Sequence, residues 1–285
     1  MTSANLQGIM REFCSIQKLS LITDVITRGK SDSQCSGSST SLEDSVRSYG
    51  QQWEFRENIW KEQTTISTWL LEEEPAQLAA NLLGTDRLWL LRDQTYFKKP
   101  GSQRTPWHQD AMFIPVNDCT FLTLWIPLSP INTESDSPLE YWSPPAPACQ
   151  FLDGGSAKAS YAKHQHRWSE EGWTHLSTVG LKPGDCSFHD GWTLHGSDEH
   201  KALTDRLAFV AVYGCGEGNL QLTPAMPHAP RQLRDQVHLL RNGLHHSCFP
   251  DLQEGDPVPG HHNPWIRCSP SEELPIQSTH SHRSP

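Results

Sequence analysis

Short runs rich in β-forming residues fill the middle of the chain, from Arg87 to about Tyr213. Pro, Gly, Asn and Asp separate these runs, as expected for strands that are joined by turns. Even spacing of this kind favours a sandwich, a barrel or a jelly roll over a doubly wound sheet. The runs predicted as strands are Arg87–Lys99, Cys119–Leu128, His175–Leu181, Asp185–His189 and Arg206–Tyr213.

Helical patterns lie on both sides of this β-rich region. One begins at Ser41, and a better-marked one runs from Pro75 to Gly84, with proline in its first turn and glycine at its end. A third, beyond Gly214, has one apolar face. The residues on that face are Leu233, Val237, Leu240 and Leu244.

The same patterns divide the chain into three parts. Residues 1–45, with a Ser- and Gly-rich patch at Gly29–Thr40, are predicted to form an irregular N-terminal segment. Residues 46–265 are predicted to form one domain with helical flanks, and residues 266–285 a disordered tail. Within the domain, the proline-rich stretch Ser129–Ser169 is expected to loop over one end of the barrel, where substrate lids tend to lie.

Composition narrows the choice of partners. The 285 residues carry a formal net charge of −10 with His counted neutral, so nucleic acid and anionic membranes are not expected partners. No apolar stretch approaches the length of a membrane span, and no signal-like run opens the chain. Eight cysteines without a CxxC pair argue against a structural zinc knuckle. The protein is therefore predicted to be cytoplasmic, and its oligomeric state is not specified.

Candidate chemistry begins with the segment Trp107–Asp110. Residues two apart on a strand point to the same side, so His108 and Asp110 can offer an imidazole and a carboxylate to one point. A second imidazole is available at His195. Two histidines and one carboxylate on one face of an octahedron leave three positions open, as ferrous iron needs to bind a bidentate co-substrate and oxygen together. The alternative to a metal site is a structural role for both residues, with His108 a buried hydrogen-bonding residue and Asp110 a turn or cap residue.

A candidate anion clamp follows the second histidine. Arg206 begins the next β run, and its planar fork suits the far carboxylate of a dicarboxylic acid. Ser197, two residues after His195, would add a hydroxyl donor. For Arg206, an ion pair with Asp205 on the surface remains an equal alternative.

Several motifs together resemble the phytanoyl-CoA dioxygenase family of iron and 2-oxoglutarate oxygenases, in texture most like its microbial and fungal members. They occur in the order and spacing of that family from Leu88 to Tyr213, and a weaker resemblance continues to about Pro264. The motifs are Lys98-Lys99-Pro100-Gly101, Thr105-Pro106-Trp107-His108-Gln109-Asp110, Leu122–Leu128, Pro183-Gly184-Asp185, Phe188–Ser197 and, near the end, Cys248–Leu252.

This resemblance implies a double-stranded β-helix core, of the jelly-roll or cupin-like kind, with flanking α-helices. It also implies Fe(II) as the metal and 2-oxoglutarate and oxygen as co-substrates of a dioxygenase. The implied iron ligands are His108, Asp110 and His195, and the implied holders of 2-oxoglutarate are Arg206 and Ser197, with Gln94 and Trp125 lining its pocket. For Trp125, ordinary core packing is an equal alternative.

The implied reaction is oxidation of a small, largely apolar organic molecule, such as a secondary-metabolite intermediate. Hydroxylation is the default, and desaturation or epoxidation is equally open to this chemistry.

Departures from the family pattern keep two rival readings open. Relatives begin with a strand that carries a Gly-led apolar run, and the sequence shows no clear equivalent. The family's Gly-Ser-His segment is replaced here by Ser143–Pro147. The rivals are a catalytically inactive relative that has lost its first strand and a cupin-like metal protein that does not use 2-oxoglutarate.

Overall fold

The computed structural model describes five ranges of the chain, and the elements below belong to them. The predicted helix at Ser41, the patch Gly29–Thr40 and most prolines of the predicted lid lie outside the described residues. The described ranges are 7–11, 13–28, 53–143, 158–223 and 231–269.

Strands dominate these ranges, and five helices flank them. The strands are β1 (Gln7–Met10), β2 (Trp53–Glu57), β3 (Arg87–Lys98), β4 (Thr105–His108), β5 (Thr120–Pro127), β6 (Glu140–Ser143), β7 (Thr174–Ser177), β8 (Cys186–Asp190), β9 (Leu194–Ser197), β10 (Arg206–Cys215), β11 (Gly218–Asn219), β12 (Pro257–Val258) and β13 (Trp265–Arg267). The helices are α1 (Ile16–Arg28), α2 (Thr64–Glu72), α3 (Glu74–Leu83), α4 (Lys158–Glu170) and α5 (Arg231–Cys248). Short 3-10 turns occur at Ile59–Lys61, Asp110–Met112 and Glu134–Asp136.

Eight consecutive strands, β3 to β10, form two antiparallel sheets. The large sheet contains the order β8-β5-β10-β3, extended by β1 beyond β8 and by β2 and β13 beyond β3. The small sheet has the order β4-β9-β6-β7. Because the chain alternates between the sheets in this way, the predicted double-stranded β-helix, with flanking helices, is confirmed.

Alternation along β10 divides the large sheet into two faces. Phe209, Ala211 and Tyr213 pack outward against α2 and α3, and the Tyr213 hydroxyl donates to the Leu70 carbonyl oxygen at 2.8 Å. The residues between them, such as Val210 and Val212, point into the barrel. Burying each large apolar side chain contributes about 1.5–3 kcal/mol. The outward face therefore anchors the helices and leaves the inner face free to line a pocket.

Helix α5 covers one side of that pocket. Its predicted apolar face is present, with Val237 and Leu244 buried, whereas Leu239 on another face is exposed. The Arg241 guanidinium fastens the helix by donating from Nε to the Met112 carbonyl oxygen at 3.0 Å and from Nη1 to that of Gln221 at 2.9 Å.

The N-terminal segment differs from the prediction of an irregular stretch at residues 1–45. Strand β1 pairs with β8 in the large sheet, and it is a Gly-led apolar strand, Gln7-Gly8-Ile9-Met10, of the kind that the sequence did not reveal. A four-residue strand is too short for a clear period of two. Gly8 is needed at the pairing, because a Cβ there would lie 2.7 Å from the Phe188 ring.

Helix α1 also belongs to the main core, and this gives a stability prediction. Ile22 is fully buried beneath the large sheet, whereas Leu21 beside it is 51% exposed. Ile22→Ala should lower the free energy of unfolding by about 2–5 kcal/mol, as for other buried large-to-small changes. Leu21→Ala should change it by less than about 0.5 kcal/mol. Equal, small effects in urea denaturation would mean that α1 does not pack on the sheet.

The C-terminal end likewise continues the fold further than predicted. Ile266, in the predicted tail 266–285, is buried and pairs with Leu88 through β13. Residues 270–285 lie outside the described residues. No helix in the described ranges has both the length and the apolar character needed to cross a membrane.

Candidate metal centre

A pocket of about 320 Å³ opens inside the barrel. Its walls come from both sheets and from α5, so residues far apart in the sequence face one space. Among the residues that line it are His108, Asp110, His195 and Arg206.

Three predicted ligands meet at one side of this pocket. The Nε2 atoms of His108 and His195 each lie 3.6 Å from Oδ1 of Asp110. One ligand atom from each of the three residues falls within 4.8 Å of the others, a spacing that could hold a metal ion. The arrangement offers two nitrogens and one oxygen, and a metal bound there would keep further positions for small molecules.

Strand pairing, rather than alternation along one strand, brings the ligands together. His108 and His195 are directly opposite each other in the β4–β9 pair, and their ring centroids are 4.1 Å apart. The expectation that His108 and Asp110 share a strand is wrong, because β4 ends at His108 and Asp110 begins a 3-10 turn. The Ala111 amide fixes that turn by donating to the Gly191 carbonyl oxygen at 2.8 Å.

Backbone carbonyls orient both imidazoles. Nδ1 of His108 lies 2.8 Å from the Pro106 oxygen, and Nδ1 of His195 lies 2.9 Å from the Thr193 oxygen. A carbonyl can only accept, so each Nδ1 carries the proton and each Nε2 keeps its lone pair for a metal.

The electrostatic surroundings favour the metal-binding protonation states of Asp110 and His195. Burial alone would raise the pKa of Asp110, but the imidazoles of His195, His189 and His108 outweigh it and hold that pKa well below its usual range. Burial, reinforced by His108 and His189, keeps the pKa of His195 well below normal. At neutral pH the site therefore presents a carboxylate and a neutral imidazole.

Two further side chains support the Asp110 carboxylate. The Thr123 hydroxyl donates to Oδ2 at 2.9 Å. His189 is fully buried on β8, with Nε2 3.4 Å from the same oxygen and its ring 4.2 Å from that of His195. His189 also lines the pocket, next to the three candidate ligands.

Arg206 is a buried cation that faces the same pocket. Its Nη1 donates to the Ser137 carbonyl oxygen at 2.7 Å, but its buried Nε has no hydrogen-bond partner among the residues that the structure describes. Burial lowers its pKa to about 10, so it stays charged at neutral pH. No ion pair with Asp205 occurs in the described part of the chain, and the surface alternative therefore does not fit. A buried cation with free donor capacity calls for an anionic partner.

Ser197 lies beside a residue whose role the sequence did not reveal. Lys98 is buried directly opposite Arg206 in the β3–β10 pair, and its Nζ donates to Ser197 Oγ at 2.7 Å and to Ser137 Oγ at 3.0 Å. Burial, with help from the Arg206 charge, lowers the pKa of Lys98 well below normal. Because Lys98 donates to Ser197, the hydroxyl proton of Ser197 is left to donate elsewhere. In the sequence, Lys98 stood out as the first residue of the family motif Lys98-Lys99-Pro100-Gly101, which gave it no role.

Gln94 and Trp125 also line the pocket. The Tyr96 hydroxyl donates to Gln94 Oε1 at 2.9 Å, and the Arg206 Cζ lies 5.6 Å from the centroid of the Trp125 ring. Their part in binding a co-substrate stays a prediction.

Solved structures with the same fold include two enzymes from nogalamycin biosynthesis. The epimerase SnoN, in complex with Fe3+, alpha ketoglutarate and nogalamycin RO, aligns over 92% of this chain and 94% of its own, with TM-score 0.62 and 18% identity. The carbocyclase SnoK from nogalamycin biosynthesis aligns over 91% of both chains, with TM-score 0.60 and 16% identity. EctD from S. alaskensis, with 2-oxoglutarate and 5-hydroxyectoine, aligns over 74% of this chain and 72% of its own, with TM-score 0.54 and 17% identity.

Sequence comparison gives the family. Among curated proteins, no sequence matches the chain. The sequence model of phytanoyl-CoA dioxygenase matches residues 43–208, more than half of the chain, and this range includes the three candidate ligands, Ser197 and Arg206. The chain therefore belongs to the phytanoyl-CoA dioxygenase family of non-haem iron, 2-oxoglutarate-dependent oxygenases, as its motifs predicted.

Proposed function

We propose that this protein uses Fe(II), 2-oxoglutarate and oxygen to oxidise a small, largely apolar organic substrate. One observation carries the proposal: a buried Arg206 with an unpartnered Nε faces the pocket that holds the His108, Asp110 and His195 cluster. A metal cluster alone would suit many reactions, whereas a cluster facing a buried cation suits a metal together with an anionic co-substrate.

The donor set fits ferrous iron. Two neutral imidazole nitrogens and one ionised carboxylate oxygen suit a borderline divalent ion and leave room for other ligands. An iron ion bound there together with 2-oxoglutarate would supply the redox chemistry that activates oxygen and oxidises a C–H bond. The protein's part is to hold the three ligands in place, through the carbonyls of Pro106 and Thr193 and the hydroxyl of Thr123.

The far end of the pocket fits the second carboxylate of 2-oxoglutarate. Arg206 offers its free donor capacity, and Ser197 offers a hydroxyl proton. Lys98 orients the Ser197 hydroxyl by donating from Nζ to its Oγ. A charge-assisted pair of donors of this kind is strong because it is buried.

The remaining pocket wall defines the substrate class. Phe113, Leu240 and Leu244 give an apolar side, and Glu57 and Arg92 give a polar one. A mostly apolar molecule with a few polar groups fits these walls. SnoK is named a carbocyclase and SnoN an epimerase, both from nogalamycin biosynthesis, and this likeness supports a secondary metabolite as the substrate. The proposed oxidation is hydroxylation, with desaturation or epoxidation equally open to this chemistry.

Specific features weaken the rival readings. An inactive relative was suggested by a missing first strand, and β1 supplies a strand of that kind. A cupin-like protein without 2-oxoglutarate has no use for the buried cation at Arg206. We further propose that the oxygenase domain begins near residue 7 rather than 46, since β1 and α1 share its sheet and core.

The test is anaerobic addition of Fe(II) and then 2-oxoglutarate to the purified protein. We expect a visible charge-transfer band from iron to 2-oxoglutarate, and succinate formation once air is admitted. Folded protein that gives neither the band nor succinate would overturn the proposal.

A further inference from the structure

A second cluster of metal-binding side chains lies outside the pocket. Asp251 Oδ2 is 3.1 Å from Nε2 of His261 and is also in close contact with Nε2 of His262. The two imidazole rings have centroids 3.9 Å apart. One ligand atom from each of the three residues lies within 4.8 Å of the others. None of the three lines the pocket described above.

The carboxylate of Asp251 is used differently from its neighbours. Asp256 accepts from the Gln253 amide at 2.8 Å, and Glu254 accepts from the Leu222 amide at 2.7 Å, as carboxylates in turns commonly do. In the described part of the chain, the hydrogen bonds and ion pairs of Asp251 go to the two imidazoles instead. Its side chain is thus aimed at the histidines rather than at the turn that carries it.

The cluster lies between two elements of the fold that a bound ion could link. Asp251 follows the end of α5 by three residues, and the two histidines come shortly before β13, which pairs with β3. A bond across the cluster would join the pocket-covering helix to the edge of the large sheet.

We propose that Asp251, His261 and His262 bind a Zn²⁺ ion. Two imidazole nitrogens and one carboxylate oxygen are ligands that Zn²⁺ prefers, at about 2.0–2.2 Å each, and water would complete the tetrahedron. Asp251 and His261 are more than half exposed, so water has access to the fourth position. For an imidazole-containing site, the order of divalent affinities also favours Zn²⁺ over Fe²⁺.

The bound ion holds α5 to the sheet. An ion that binds the folded state and not the unfolded chain raises the melting temperature by mass action. It also limits movement of the helix that lines the substrate pocket, without touching the substrate.

Zinc titration of the metal-free full-length protein tests this directly. The candidate iron site also accepts Zn²⁺, so calorimetry should give two ions per chain for the wild type. Asp251→Ala/His262→Ala should bind one, and His108→Ala/His195→Ala should bind one at the cluster. His166→Ala is a matched control, since His166 is also exposed beside a carboxylate, Glu170, and it should still bind two.

The decisive variant is His108→Ala/His195→Ala, which isolates the cluster. Zn²⁺ should raise its melting temperature, and adding Asp251→Ala should abolish that shift. No Zn²⁺ bound by His108→Ala/His195→Ala, or two ions in Asp251→Ala/His262→Ala, would overturn the proposal. The result is independent of the proposed oxygenase chemistry, because Asp251→Ala/His262→Ala should still give the iron–2-oxoglutarate band.

Discussion

His108→Ala should abolish the iron–2-oxoglutarate charge-transfer band and all succinate formation. The change removes one of three ligands, and Asp110 and His195 alone hold iron poorly. Loss of a mere hydrogen-bonding partner of a ligand costs about 10–100-fold in metal affinity, so loss of the ligand itself should exceed that. Anaerobic iron titration, followed by absorption at saturating 2-oxoglutarate, measures the effect.

The matched control for this variant is His175→Ala. His175 lies on β7 of the same small sheet, stacks on Trp142 with ring centroids 4.5 Å apart, and does not line the pocket. Its removal should leave the band unchanged. A full band in His108→Ala would show that the iron binds without His108.

Arg206→Ala should raise the 2-oxoglutarate concentration needed for half-maximal band intensity by a factor on the order of 10²–10³. Removing one partner of a buried charge pair costs about 3–5 kcal/mol, and each 1.4 kcal/mol is about tenfold. The 2-oxoglutarate concentration that Arg206→Lys needs should lie between those of the wild type and Arg206→Ala, because lysine keeps the charge and lacks the planar fork. Iron binding without 2-oxoglutarate should stay near the wild-type level, since Arg206 does not touch the metal ligands.

Asp205→Ala separates the two readings of this arginine. Asp205 is exposed, and no ion pair joins it to Arg206 within the described residues, so its loss should leave 2-oxoglutarate binding unchanged. An Arg206→Ala protein that needs less than about three times the wild-type 2-oxoglutarate would instead show that Arg206 does not hold the far carboxylate of the co-substrate.

The long strands were predictable because β-forming residues follow one another over eight positions or more. Arg87–Lys98 and Arg206–Cys215 match the predicted runs closely, and the glycine-closed helix ends at Gly84 as expected. The short strands of the small sheet were largely missed. Strands β4, β6 and β9 have four residues each, too few for a period of two to stand out.

The sequence likewise predicted one part of the candidate site and missed another. Motif spacing singled out His108, Asp110, His195, Ser197 and Arg206, and the structure brings all five to one pocket. The reason given for the first pair was wrong, since Asp110 lies on a turn. The role of Lys98 was invisible, because it depends on the residue opposite it on another strand.

What the sequence determined by itself is local: which residue types occur at which spacing, and therefore the family, the fold class and the candidate ligands. Tertiary structure decided what depends on distant partners: the joining of β1 to β8, the cross-strand meeting of His108 and His195, and the burial of Arg206 with no acidic partner in the described ranges. The physical reason is that pairing register and desolvation belong to two or more segments at once. No single stretch of the chain contains either.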